Sequence, residues 1–346
     1  MSEDVDGSSS HVGLRPEGYE ALRTGAALVE SRSADWLRLT GSDRLRFTNG
    51  LVSCDLRSLS AGNGEYGFFT DPKGKVIADA AFFATESELW IELARGRGAP
   101  IAEHMGKYLV ADQVEIEALE ELKTVFAAGP EAAGKLAAAF GRVPEGDLWS
   151  GLVVEVDGSQ LVIRSERRLG VPAWVLAGSR ETLARVTEGL AQAGLRSAGA
   201  AAVASLRIEQ GVPWFGLDFG ADAGGGNFPQ ETGIEDWAVN FDKGCYLGQE
   251  VVARIHFRGK VNRSLRGLVF EPDSEPRAGV ELVWNDQVVG VMNSVAGSPA
   301  MGCPIGLAIV HRKAESGADL STPYGPCRLV DLPFDTAVGT GPTATT

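Results

Sequence analysis

Lys243-Gly244-Cys245-Tyr246-Leu247-Gly248-Gln249-Glu250 is the most informative stretch of the 346-residue chain. A cysteine stands between two glycines, two residues after a lysine. Just behind it comes a run, Gln249-Glu250-Val251-Val252-Ala253-Arg254-Ile255, that reads as the start of a helix. Glycine lets the backbone take positive φ or approach a ligand closely. A nearby cation and the positive end of a helix both favour thiolate over thiol. The pattern predicts a reactive Cys245 assisted by Lys243. The competing reading is a small buried hydrophobe in a tight turn, since free cysteine is among the most buried residue types.

Upstream, Ala201-Ala202-Val203-Ala204-Ser205-Leu206-Arg207-Ile208-Glu209-Gln210-Gly211 reads as a helix closed by Gly211, with Pro213 as a stop. Glu209 then lies in the last turn, where the helix dipole disfavours negative charge by roughly 0.3–1 kcal/mol. Two readings follow. One is a carboxylate aimed at paired N–H donors on a planar heterocycle. The other is a solvated glutamate paired with Arg207 or another surface cation. Gly224-Gly225-Gly226 lacks the lysine and Ser/Thr of a P-loop and reads as a flexible loop.

Working outward, a strand begins at Trp36, and Ser42 or Asp43 caps a short helix around Leu45 and Phe47 that ends near Asn49-Gly50. Strands over residues 65–70, 76–85 and 88–94 follow, the first pair joined by the turn signal Asp71-Pro72-Lys73-Gly74. A helix over 99–109, a strand over 123–127, a helix over 130–140, strands over 152–156, 161–165 and 173–177, and a helix over 181–193 come next. This interleaving lacks the regular βαβ rhythm and favours α+β layers. After Arg266 the chain turns to short β segments punctuated by residues such as Asn285-Asp286, which predicts a small antiparallel barrel or sandwich. The predicted organisation is a disordered tail over 1–20, an α+β region of two subdomains over 21–265, a β-barrel over 266–335 and a second disordered tail over 336–346.

Hydrophobic content of 44% and charged content of 23% are ordinary for a globular protein. The net charge of -14 argues against a broad phosphate-binding surface, so no direct nucleic-acid contact is expected. No stretch approaches the roughly 18 apolar residues of a membrane span, and the acidic, serine-rich start is unlike a signal peptide, which points to the cytoplasm and no membrane partner. Cys54, Cys245, Cys303 and Cys327 are too few and too scattered for a disulfide framework, and without a CxxC pair no metal site is expected.

These residues resemble the folate-binding YgfZ proteins, relatives of the glycine-cleavage T-protein (aminomethyltransferase). The most specific match is the block from Lys243 to Glu250, followed by Val251-Val252-Ala253-Arg254-Ile255 and Gly259-Lys260-Val261-Asn262-Arg263. Support comes from Asp71-Pro72-Lys73-Gly74-Lys75, Leu206-Arg207-Ile208-Glu209-Gln210-Gly211 and Pro229-Gln230-Glu231. The resemblance implies two ferredoxin-like α+β units and a C-terminal antiparallel β-barrel domain around a channel that holds tetrahydrofolate or a one-carbon derivative. It also implies a role in assembly or repair of iron–sulfur proteins, with an indirect effect on tRNA modification.

By the same resemblance Cys245 is the functional cysteine, with Tyr246 and Gln249 beside it, and Glu209 grips the pterin ring. Arg254, with Arg258 and Arg263 behind it, is the candidate for the anionic glutamyl tail of the folate. Asp79, in Val76-Ile77-Ala78-Asp79, stands where the T-protein pattern has an Asp-Asp pair, and only one of the two is present. The rival reading is a tetrahydrofolate-dependent one-carbon transferase using Asp79. A third, a cysteine hydrolase pairing Cys245 with His256 or His311, has no further residue to support a triad.

Overall fold

The computed structural model describes residues 13–30, 34–144, 148–220 and 226–336. The expected tails lie largely outside these residues, as do Gly224 and Gly225 of the three-glycine loop. Where the first tail is described it departs from expectation: Tyr19–Thr24 forms helix α1 and buries Tyr19 and Leu22.

Two α+β units and a barrel make up the molecule, but the units are not sequential. Strand β1 (Ala27–Glu30) pairs with β7 (Lys123–Ala128) and, in parallel, with β11 (Arg196–Ala198). The next strand, β2 (Ala34–Thr40), belongs to the other sheet. The chain thus starts one sheet, completes the second, and returns. The first sheet runs β11-β1-β7-β10-β9-β8, with β8 at Gly151–Val156, β9 at Ser159–Glu166 and β10 at Ala173–Gly178. Helices α4 (Ala132–Phe140) and α5 (Arg180–Gln192) cover it through Leu136, Leu183, Val186 and Leu190. Ser179 caps α5 by accepting a hydrogen bond from the Thr182 N–H.

The second sheet runs β3-β4-β5-β2-β6, with β3 at Gly64–Thr70, β4 at Val76–Ala84, β5 at Glu88–Ala94 and β6 at Glu115–Ala118. Asp71 builds the predicted β3–β4 turn, its carboxylate accepting from the N–H groups of Lys73 and Lys75, while Gly74 takes φ 75°. Helices α2 (Arg44–Asn49) and α3 (Gly98–Gly106) pack Phe47, Ile101 and Met105 on its apolar face.

The C-terminal strands close a barrel in the order β12-β15-β14-β13-β16-β17, with β12 at Arg263–Phe270, β13 at Glu281–Trp284, β14 at Gln287–Ser298, β15 at Cys303–His311, β16 at Asp319–Thr322 and β17 at Gly325–Val330. Asn285 and Asp286 both have positive φ, 49° and 59°, the primed turn whose twist matches a two-residue hairpin. Helix α6 (Ala200–Glu209) docks on the barrel through polar contacts. Ser205 donates to the Gly297 carbonyl (2.5 Å), Arg207 donates to the Ser294 hydroxyl (2.6 Å), and Glu209 accepts from Ser298 (2.6 Å). Helix α7 (Glu235–Ala238) and α8 (Gln249–Arg258) complete the α+β part.

A buried ionic network joins the two sheets. From β9, Arg164 pairs with Glu92 of β5 and with Glu166 at 2.9 Å, and Arg168 reaches Glu166 at 2.6 Å and Glu92 at 3.0 Å. Burial alone would raise the pKa of Glu166, but Arg168 and Arg164 outweigh it and hold the group down at about 2. A carboxylate so depressed adds stability above the unfolded value near 4.5, and that stability is lost as pH falls toward 2. Removing one partner leaves buried charge uncompensated, so Glu166→Gln is expected to destabilise the protein by about 3–5 kcal/mol. Denaturant unfolding at pH 7 measures this, and the difference between wild type and variant should shrink on acidification below pH 4.5.

Candidate functional site

The block from Lys243 to Glu250 lies against the end of the five-stranded sheet. Lys243 is buried, and its ammonium donates to the carbonyls of Asn49 (2.8 Å), Val52 (2.6 Å) and Cys54 (2.5 Å). The Leu247 N–H donates to the Gly50 carbonyl, and Thr70 donates to the Leu247 carbonyl. Gly248 takes φ 84° as the N-cap of α8, and a Cβ there would come within 2.5 Å of the Asp71 carbonyl. Only glycine fits that contact with the β3–β4 turn.

Cys245 is exposed while Cys54, Cys303 and Cys327 are buried, which decides against the buried-hydrophobe reading. Lys243, expected from the sequence to assist the thiol, has another task. Its three donors are committed to backbone carbonyls, and burial lowers its pKa to about 8. It fixes the loop that carries Cys245. Tyr246 is buried with its ring 5.1 Å from the Lys243 ammonium, Gln249 is half-buried in the first turn of α8, and Arg254 is exposed on that helix. His256 binds Glu235 at 3.1 Å and stacks on Phe241.

Glu209 is buried at the end of α6. Tyr19 donates to its carboxylate at 2.8 and 3.0 Å and Ser298 donates at 2.6 Å. The energetic cost of a buried carboxylate at a helix C-terminus is offset by these protein donors, which tie α1, α6 and the barrel together. Both carboxylate oxygens thus have protein donors in this structure.

Between the two sheets runs a narrow cavity, open to solvent, lined by Asp79, Glu92, Arg95, Arg168, Phe126, Leu169, Trp214 and Phe215 among others. Cys245, Glu209, Arg254, Tyr246 and Gln249 are not among the lining residues. Asp79 is. It is buried, its Oδ2 accepts from the Tyr66 hydroxyl at 2.6 Å, and its Oδ1 has no partner among the described residues. Burial lifts its pKa above the ordinary aspartate value against the pull of Arg168, 3.9 Å away, and of Tyr66. Tyr66 is held in turn by stacking on Trp149 at 4.7 Å.

An unpaired carboxylate oxygen on an apolar wall accepts N–H donors or exchanges a proton readily. The structure therefore separates two features that the sequence joins: the exposed thiol of Cys245 and a cavity lined by Asp79. Glu92, Glu166, Arg168 and Tyr66 were not foreseen. The signal for Glu166 was present, since Arg164 and Glu166 fall on one face of β9 with the apolar Val162.

A family model described as the GCVT N-terminal domain matches residues 15–243, and one described as the glycine cleavage T-protein C-terminal barrel domain matches residues 263–335. The tRNA-modifying protein YgfZ of Yersinia enterocolitica is 30% identical over 72% of this chain and 73% of its own. That of Colwellia psychrerythraea is 28% identical over 69% and 70%. The aminomethyltransferase of Streptomyces avermitilis is 25% identical over 93% of this chain and 90% of its own. In fold, the chain is similar to the crystal structure of glycine cleavage system aminomethyltransferase T from Bartonella henselae. The TM-score is 0.80 at 20% identity, covering 94% of this chain and 90% of that one. No helix among the described residues is long and apolar enough to cross a membrane.

Thiol titration of the native protein with an aromatic disulfide reagent should modify one cysteine per chain rapidly, that one being Cys245, with the other three reacting only on unfolding. Lys243→Met, which strands three carbonyls, should cost about 3 kcal/mol in denaturant unfolding.

Proposed function

Because this chain belongs to the family of YgfZ proteins and glycine-cleavage T-proteins, we propose that it is a tetrahydrofolate-binding accessory protein for assembly or repair of iron–sulfur proteins, acting through Cys245. The observation that carries the reading is the exposure of Cys245 alone among four cysteines, on a loop pinned from below by Lys243. A single thiolate cannot hold a cluster, so the remaining ligands come from a client protein. The relatives' name, tRNA-modifying protein, agrees with a client that is an iron–sulfur tRNA-modifying enzyme.

The inner cavity suits a reduced pterin by its donor set. Asp79 offers an unpaired acceptor, and Trp214 and Phe215 offer apolar walls. Tetrahydrofolate bound there carries one-carbon units on a reduced ring. The protein's own part is to orient that ring and to set the protonation of Asp79 through burial, Tyr66 and Arg168. Glu209 already accepts from Tyr19 and Ser298.

A second reading, a folate-dependent one-carbon transferase, is favoured by the length of the match to the Streptomyces avermitilis aminomethyltransferase and by Asp79 in the cavity. Formation of methylenetetrahydrofolate from an aminomethylated donor by the purified protein would replace the accessory reading with this one.

Tetrahydrofolate titration by calorimetry should give at least a ten-fold weaker Kd for Asp79→Asn, with Cys245→Ser unchanged. In a deletion strain, Cys245→Ser should fail to restore the activity of iron–sulfur enzymes under oxidative stress. Normal activity in that strain would contradict the proposal.

A further inference from the structure

Phe257 is 68% exposed, the largest exposure of any aromatic side chain among the described residues. It lies on α8, the helix that the Cys245 loop leads into. Its ring is held in place. Phe241 meets it edge to face at 5.8 Å, and His256, itself stacked on Phe241 at 3.7 Å and bound to Glu235, meets it at 4.9 Å. An exposed ring fixed by two neighbours loses little freedom on binding.

Around this knob the charge reverses the sign of the molecule. The chain carries a formal charge of -14, yet from Gln249 to Arg263 four cations, Arg254, Arg258, Lys260 and Arg263, face one carboxylate, Glu250. All four cations are exposed, and none has an ion-pair partner among the described residues. Arg254, Phe257 and Arg258 stand at positions i, i+3 and i+4 and so form one stripe along the helix. The opposite side of α8 buries Val252 against the core. A favourable helix dipole accounts for Arg258 in the last turn but not for Lys260 and Arg263 beyond it.

We propose that this stripe is a docking surface for an acidic protein surface with an apolar recess for Phe257, which brings that partner's cluster-binding region to Cys245. The proposal rests on the accessory function above and names the chemistry of the client. From the start of α8 to Phe257 is roughly 12 Å at 1.5 Å per residue. That falls inside the footprint of one interface of about 800 Å2 per partner. Aromatic and arginine side chains are the residue types that dominate interface energetics. A single-stranded nucleic acid fits less well: stacking of successive bases needs several open ring faces, and here one knob projects while its neighbours stack on each other. The charge of -14 also repels a polyphosphate over the rest of the surface.

The probe is a purified iron–sulfur tRNA-modifying enzyme from the same genome, immobilised and titrated with the full chain. Phe257→Ser and the double variant Arg254→Glu/Arg258→Glu should each raise Kd at least ten-fold. Wild-type Kd should rise between 50 and 200 mM salt. Tetrahydrofolate affinity should stay at the wild-type value in Phe257→Ser. The milder Arg254→Ala/Arg258→Ala variant, checked by circular dichroism and thermal midpoint, guards against loss of fold.

Unchanged Kd in both variants, or no binding by the wild type, overturns the proposal. So does a result in which the variants lose binding to an unmodified tRNA transcript instead, or in which they dissolve a wild-type dimer seen by sedimentation. If enzyme binding follows the prediction but Cys245→Ser still supports iron–sulfur activity, the docking surface stands and the thiol function falls.

Discussion

The two sheets of this protein share one apolar cluster, Trp36, Phe83 and Trp90 against Val29, Phe126 and Val175, and a buried charge network is set into that contact. Arg164 and Arg168 from one side meet Glu92 from the other, with Glu166 completing the set. Such a network is costly to bury and harsh when broken, so it fixes a single relative placement of β5 and β9. The cavity walls follow from that placement, because Glu92 and Arg168 line the cavity as well. Every cation in the network has a carboxylate at close range, whereas Asp79, 3.9 Å from Arg168, retains an oxygen with no partner. The unpaired Asp79 oxygen therefore adjoins the charge network.

The thiol loop follows a different physical rule. Lys243 spends its charge on three carbonyls of the segment after α2, and Gly248 lets α8 begin against the β3–β4 turn. Between those two fixed points Cys245 has no space in the interior and faces solvent. Rigidity below and exposure above suit a group that must meet another molecule. The α6 contacts with the barrel, through Ser205, Arg207 and Glu209, close the third side and explain why a helix buried almost all round carries polar residues.

Much of the fold was legible in the sequence because its signals are local. Asp71-Pro72-Lys73-Gly74 fixed the β3–β4 hairpin, Gly194 ended α5, and Asn285-Asp286 joined β13 to β14. Strands β6 and β16 escaped notice, being four residues each, with charged or polar side chains at exposed positions. The interleaving of the sheets was hidden for another reason: Ala27–Val29 pairs with Arg196–Ala198, and no local pattern encodes so distant a partner.

Within the candidate site, the exposure of Cys245 agreed with its glycine setting, but the direction of Lys243 depended on carbonyls nearly two hundred residues away in sequence. Tyr19 lay in a stretch read as a tail, which concealed the donor that occupies Glu209. Asp79 was marked by its place in the T-protein pattern, but only the packing of two sheets reveals its unpaired oxygen.

The most direct test is a crystal structure of the protein with tetrahydrofolate. The pterin edge should lie within hydrogen-bond distance of Asp79 Oδ1, between Trp214 and Phe215, with Cys245 still open to solvent. Density for the pterin against Glu209 in place of Tyr19 and Ser298, with the cavity beside Asp79 empty, would contradict the account.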